Sequence, residues 1–185
     1  NIERAIKRGT GEVEGATYEE IWYEGYGPGG VALYVEVLTD NRNRAAAEIR
    51  STFTRFNGNM GEPGSVAYLF SQKGLILVRG EEEEVMLTAL DAGAEDVREA
   101  GEGFYEVITA PADLRAVRQA LADAGIGVES TEVTQLPSST VPVEEGEARR
   151  LLRLIDAVEE LDDVQAVFSN YDIDDSIMEK VLAEA

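Results

Sequence analysis

Residues 75–135 spell out a unit that closes on itself, and everything on either side must fold around it. Residues 75–78 read as a strand, 81–92 as a helix, 95–100 and 104–109 as two strands, 112–124 as a helix and 128–135 as a strand. That β-α-β-β-α-β order is the ferredoxin-like motif. Its punctuation agrees: Gly93 and Gly125 stand at helix ends, Gly101-Glu102-Gly103 makes the hairpin, and Pro111 opens the second helix. Glu81 to Glu84 fill a first helical turn, where the helix dipole favours carboxylates. Four successive helical residues point in four directions, so the quartet is a solvated helix start and no metal site is read from it.

The flanks are each incomplete. Upstream, residues 18–23 form a strand, Gly25, Gly27, Pro28, Gly29 and Gly30 a turn, and 31–38 the antiparallel partner strand. A helix over 41–56 follows, with Ala45, Ile49, Phe53 and Phe56 on its core stripe, then a loop over 59–64 and a third strand over 65–70. Downstream, a linker over 136–143 leads to a helix over 144–161, striped by Leu151, Leu154, Ile155, Val158 and Leu161, and to a strand over 164–169. One helix and one strand cannot make a core alone. They must complete the upstream ββαβ set.

The expected fold class is therefore α+β, with two α/β sandwiches. A ferredoxin-like domain at 74–137 is inserted into a discontinuous domain of 16–73 plus 138–173. Residues 1–15, with Ile2, Ala5 and Ile6 at helical spacing, read as a helical remnant and linker. Residues 174–185 read as a C-terminal tail, a short helix capped by Asp172, Asp174 and Asp175.

Charge separates the halves of the sequence. Residues 1–80 hold 9 Lys/Arg against 10 Asp/Glu, whereas 81–185 hold 7 against 27. A phosphate partner should thus approach the first part, while the acidic lobe suits a basic protein partner. Cysteine and histidine are both absent, which removes disulfides, thiolate metal sites, serine-histidine triads and the usual general base. No run of eighteen apolar residues occurs, so no membrane partner is expected, and a cytoplasmic location is.

The sharpest functional feature is the helix that opens at Thr39-Asp40-Asn41. Acidic residues belong in a first helical turn, yet Arg42 and Arg44 stand there, followed by Arg50 and Arg55. Two readings stand side by side: the arginines and the helix N-terminus bind a phosphate, or Glu24, Glu36 or Asp40 neutralises them. Tyr26, with Tyr23 and Trp22 beside it, is a candidate for stacking on unpaired bases, or else is ordinary strand packing. Gly27, Gly29 and Gly30 either allow a backbone to approach or only make the turn. Arg4, Lys7 and Arg8 add cations near the start of the chain. No catalytic residue, cofactor or metal ligand is assigned. Catalysis would have to rest on a carboxylate-held Mg²⁺ in a nuclease for branched DNA, with Glu24, Glu36, Asp40 and Glu48 as first candidates.

YEGYGPGG at 23–30, TDNRNR at 39–44, NIERAIKRGTGE at 1–12, GNMGEPGSVAYLF at 58–70 and VFSNYDI at 167–173 resemble signatures of the YebC/PmpR family. That family of bacterial regulators includes the mitochondrial translational activator of cytochrome c oxidase. The resemblance implies the same discontinuous arrangement and a basic helical domain whose end would be residues 1–15. It also implies regulation of gene expression through DNA binding in transcription, or RNA binding in translation at ribosomes stalled on proline-rich stretches. One basic spot on an acidic body favours the ribosome, whose RNA and basic proteins suit both charges.

Overall fold

The computed structural model describes residues 17–184. They divide into two compact units, 17–70 with 137–184, and 71–136. In chain order the first holds β1 (Glu19–Tyr26), β2 (Ala32–Thr39), α1 (Arg42–Arg55) and β3 (Asn59–Met60). The second is built of β4 (Phe70–Arg79), α2 (Glu82–Asp91), β5 (Asp96–Glu99), β6 (Phe104–Thr109), α3 (Leu114–Asp123) and β7 (Gly127–Pro137). The chain then returns to the first through β8 (Val141–Pro142), α4 (Glu145–Glu159), β9 (Val164–Ser169), β10 (Tyr171–Asp172) and α5 (Asp175–Ala183).

The second unit has the sheet order β5-β6-β4-β7, the strand order of a ferredoxin-like fold. Period-two alternation sends Ile76, Val78, Tyr105 and Val107 to one face, where they meet Val85 and Ala89 of α2 and Val117 and Leu121 of α3.

In the first unit the sheet order is β3-β1-β2-β9. The hairpin pairs Glu19 with Thr39 and Tyr26 with Ala32, and β9 adds antiparallel to β2, as the incomplete flanks require. Leu33, Val35 and Val37 face the helices and bury Ile49 and Phe53 of α1 and Leu151, Leu154 and Val158 of α4. On the opposite face Ala32, Val66 and Phe70 pack with Tyr34, Leu69 and Phe168.

Several expectations fail. Inside the expected loop over 59–64, Asn59 and Met60 pair with Tyr26 and Gly25 as β3, and inside the expected linker over 136–143, Val141 and Pro142 pair with Tyr171 and Asp172 as β8. Residues 65–70 are not a strand; a 3-10 turn spans Ala67–Leu69, and β4 begins only at Phe70. The reason is electrostatic. The Glu24 carboxylate accepts the backbone N–H groups of Gly64 (2.7 Å), Val66 (2.9 Å) and Ala67 (2.6 Å), donors that a strand would give to a neighbour. At the tail, α5 starts at Asp175 with Asp174 as N-cap, but the Asp174 side chain makes no capping hydrogen bond.

Acidity also distributes differently from the sequence halves. Residues 17–70 with 137–184 carry 8 Lys/Arg against 20 Asp/Glu, and 71–136 carry 5 against 14. Both units are acidic.

Candidate nucleic-acid interface

At the start of α1 the Asn41 side chain caps the helix by accepting the Arg44 N–H at 3.0 Å. Arg44 Nη2 then reaches Asp40 Oδ1 at 2.7 Å and Asp163 Oδ2 at 2.9 Å. Asp163 is 2% exposed and also accepts the Thr39 hydroxyl at 2.9 Å, while its carbonyl takes the Leu38 N–H. Arg44 is therefore a structural cation that ties the β2–α1 corner to the approach to β9. Its hydrogen bonds to Asp163 and then Asp40 hold its proton more tightly than usual. Arg42 pairs with Glu19 at 3.1 Å, both side chains being exposed, and that bond likewise raises its pKa. Of the two readings of the helix start, neutralisation is what the structure contains. The partners are Glu19, Asp40 and Asp163; neither Glu24 nor Glu36 takes part.

Arg50 and Arg55 are different. Both are exposed and neither meets a carboxylate within ion-pair range; the Arg55 guanidinium lies 5.2 Å from the Phe56 ring centroid. On α4, which packs beside α1, Arg150 and Arg153 are also exposed and unpaired, whereas Arg149 is bound by Glu145 and Glu184. Among the described residues of this unit, every cation without a carboxylate partner is an arginine of α1 or α4. Exposed Glu48, Asp156 and Glu160 interleave with them, so the layer grips at points and presents no broad positive face. Arg150 and Arg153 escape a sequence reading because six of the residues 144–160 are acidic, five of them glutamate, and mask the basic ones. Arg4, Lys7 and Arg8 lie outside the described residues.

The glycine turn faces inward. A Cβ on Gly27 would stand 2.8 Å from Leu151 Cδ1 and 3.2 Å from Leu154 Cδ2, so α4 already occupies the space that a ligand backbone would use. Gly29 and Gly30 adopt φ of +81° and +76° and serve the turn. Of the aromatics, Tyr23 packs against the main core, and burial pushes its hydroxyl pKa up. Trp22 stacks on Tyr34, ring centroids 4.4 Å apart, and donates Nε1–H to Glu20. Tyr26 is 37% exposed, but its hydroxyl donates to the Ser65 carbonyl at 3.1 Å and so braces the 61–69 loop. The aromatic that does face solvent is Tyr68, at 75% exposure. Sequence reading misses it because residues 65–70 look like a strand, in which every second side chain is covered.

The four carboxylates considered for metal do not converge. Glu24 is buried against three backbone N–H groups, and Asp40 is held by Arg44. Glu36 lies on β2, where burial and neighbouring Glu20 raise its pKa, and Glu48 is exposed on α1. Among the described residues no group of three or more acidic side chains could hold a metal ion. No described helix is long and apolar enough to cross a membrane.

Comparison with known proteins gives this geometry a context. A family model described as the TACO1/YebC second and third domain matches residues 18–171. A "probable transcriptional regulatory protein" of Thermobifida fusca is 58% identical over 98% of this chain and 74% of its own length. One of the same description from Acidothermus cellulolyticus is 55% identical with the same coverage. The crystal structure of a conserved hypothetical protein of Aquifex aeolicus is similar at a TM-score of 0.76 and 46% identity, covering 94% of this chain and 73% of that one.

Proposed function

The chain belongs to the TACO1/YebC family, and on that premise we propose that it regulates gene expression by binding nucleic acid without catalysing a reaction on it. The site of action is cytoplasmic. Its target is RNA on the ribosome, where the resemblance in sequence points to relief of stalling at proline-rich stretches. The observation that carries this reading is the set of unpaired arginines, Arg50, Arg55, Arg150 and Arg153, on the helix layer of an otherwise acidic unit. Isolated cations among carboxylates suit scattered phosphates of a folded RNA. A duplex reader needs a helix or ribbon backed by a wider positive face. Basic ribosomal proteins suit the carboxylates.

The description of the relatives as transcriptional regulatory proteins favours a second reading, DNA binding at promoters. Cosedimentation with ribosomes over a salt series separates the two. Wild type pellets with ribosomes at low salt and is released as salt rises, and an Arg50→Glu/Arg150→Glu double variant stays in the supernatant while folded. If both stay in the supernatant and wild type retards one promoter fragment over others at physiological salt, the promoter reading replaces the ribosomal one. Arg44 is unsuitable as a probe, because its removal would disturb the buried Asp163.

A further inference from the structure

The 61–69 segment has the composition of a mobile loop, with Gly61, Pro63 and Gly64, yet it is tied down along its length. Glu24, itself 6% exposed, holds three of its N–H groups; Tyr26 holds the Ser65 carbonyl; and the Ser138 N–H binds the Leu69 carbonyl at 2.7 Å. Val66 is fully buried and Phe70 is 8% exposed, one on each side of Tyr68. Tyr68 itself carries no hydrogen bond or ring contact, and it is the most exposed large apolar side chain among the described residues.

Two consequences follow from the chemistry. Successive N–H groups of a turn can form an anion cradle, but here three point at Glu24, so this loop does not hold phosphate. What it offers outward is an aromatic ring on a braced backbone, which loses little conformational freedom on stacking. β3, the outer strand of its sheet, joins the Arg55 end of α1, on the helix-covered face, to this loop, whose Val66 and Phe70 cover the opposite face, so a strand that meets both cations and ring passes round the β3 edge.

Resting on the nucleic-acid reading above, we propose that Tyr68 is a base-stacking residue that takes an unpaired base of a single-stranded segment, while the α1 and α4 arginines contact phosphates. Stacking is tolerant of sequence and of sugar, because every base has a π-face. Ring and cations contribute separately. The arginines set the salt dependence, and the ring adds an increment that salt does not change.

Fluorescence anisotropy tests this on the full chain with a labelled oligouridine of about a dozen nucleotides, its deoxyuridine counterpart and a blunt duplex, each over a salt series. Tyr68→Ala should weaken binding of both single strands about tenfold, with the slope of log affinity against log salt and the duplex affinity unchanged. Tyr68→Phe should bind as wild type, and Arg50→Glu/Arg150→Glu should flatten the slope. The exposed position of Tyr68 means that Tyr68→Ala should melt with wild type, which keeps the comparison clean. An unchanged affinity of Tyr68→Ala beside a weakened arginine variant overturns the stacking role and leaves the nucleic-acid reading standing. If wild type binds none of the three probes, both fall together.

Discussion

The two units share an architecture and differ in what they bury. Each has a four-stranded sheet covered by a pair of helices, to which the first unit adds α5 and the short β8–β10 pair, and each is acidic. The core of 71–136 is apolar, with Thr109 the one buried polar side chain among its residues, whereas 17–70 with 137–184 buries Glu24, Thr39, Thr52, Asp163 and Asn170. Apolar packing holds elements against one another without dictating the path of a loop. A buried carboxylate or amide does dictate it, because its partners must be in place or the desolvation cost is unmet. Glu24 shapes 61–69, Asp163 fixes the corner before α1, and Asn170 accepts the Ala32 N–H at 2.8 Å to seat the end of β9 on β2. The polar-cored unit is thus the one whose surface features are held in position.

The contrast can be broken most directly at Glu24. Glu24→Ala should destabilise its unit by about 3 to 5 kcal/mol, since three N–H groups lose a charged acceptor. Hydrogen exchange read separately on the two units is the measurement, and protection in 71–136 should be unaffected. Asp163→Ala should cost about 2 to 3 kcal/mol by the same readout. Arg44→Ala should act in the same direction by leaving Asp163 buried without its cation, while Arg42→Ala should leave the melting temperature where it is, because its pair is exposed. Gly27→Ala should cost about 1 to 3 kcal/mol by overpacking Leu151 and leave nucleic-acid affinity of the folded fraction intact, as urea titration and anisotropy would show.

The smallest effect concerns pH. Hydrogen bonds from Lys180 and Arg149 depress the Glu145 pKa, and Arg149 depresses that of Glu184. With folded values below the unfolded value of about 4.3, their stabilisation is present above that pH and is lost as pH falls through the folded values. Exchange protection of α5 should decline on acidification below about pH 4. Glu36 has the opposite sign: burial raises its folded pKa, so its ionisation opposes folding as pH rises through that range. Glu36→Gln should therefore gain slightly at neutral pH relative to wild type.

Periodicity made most of the fold legible. The ferredoxin-like order could be read because its strands alternate and its turns carry glycine, and β9 could be assigned to the first sheet because α4 and β9 lack a core of their own. The site was harder. Local rules identified Arg42 and Arg44 as an anomaly, but their partners Glu19 and Asp163 lie 23 and 119 residues away. Gly27 looked open to a ligand because nothing nearby in sequence announces Leu151. Tyr68 was hidden by its own apolar neighbours, since only the distant Glu24 turns a strand-like run into a loop. Short-range chemistry predicts elements; pairings across the chain decide which side chains remain free.

The insertion also imposes an order on synthesis. Residues 71–136 leave the ribosome as a contiguous unit that can close by itself, whereas the nascent hairpin must wait with Leu33, Val35 and Val37 covered only in part, by Ile49 and Phe53 of α1, until Leu151 and Leu154 emerge. Asp163 and Asn170, which lock that unit, arrive later still. A nascent chain that pauses once residue 136 has emerged but before α4 has done so therefore displays a finished inserted unit and an unfinished, chaperone-ready partner, and a product truncated before α4 has half a core.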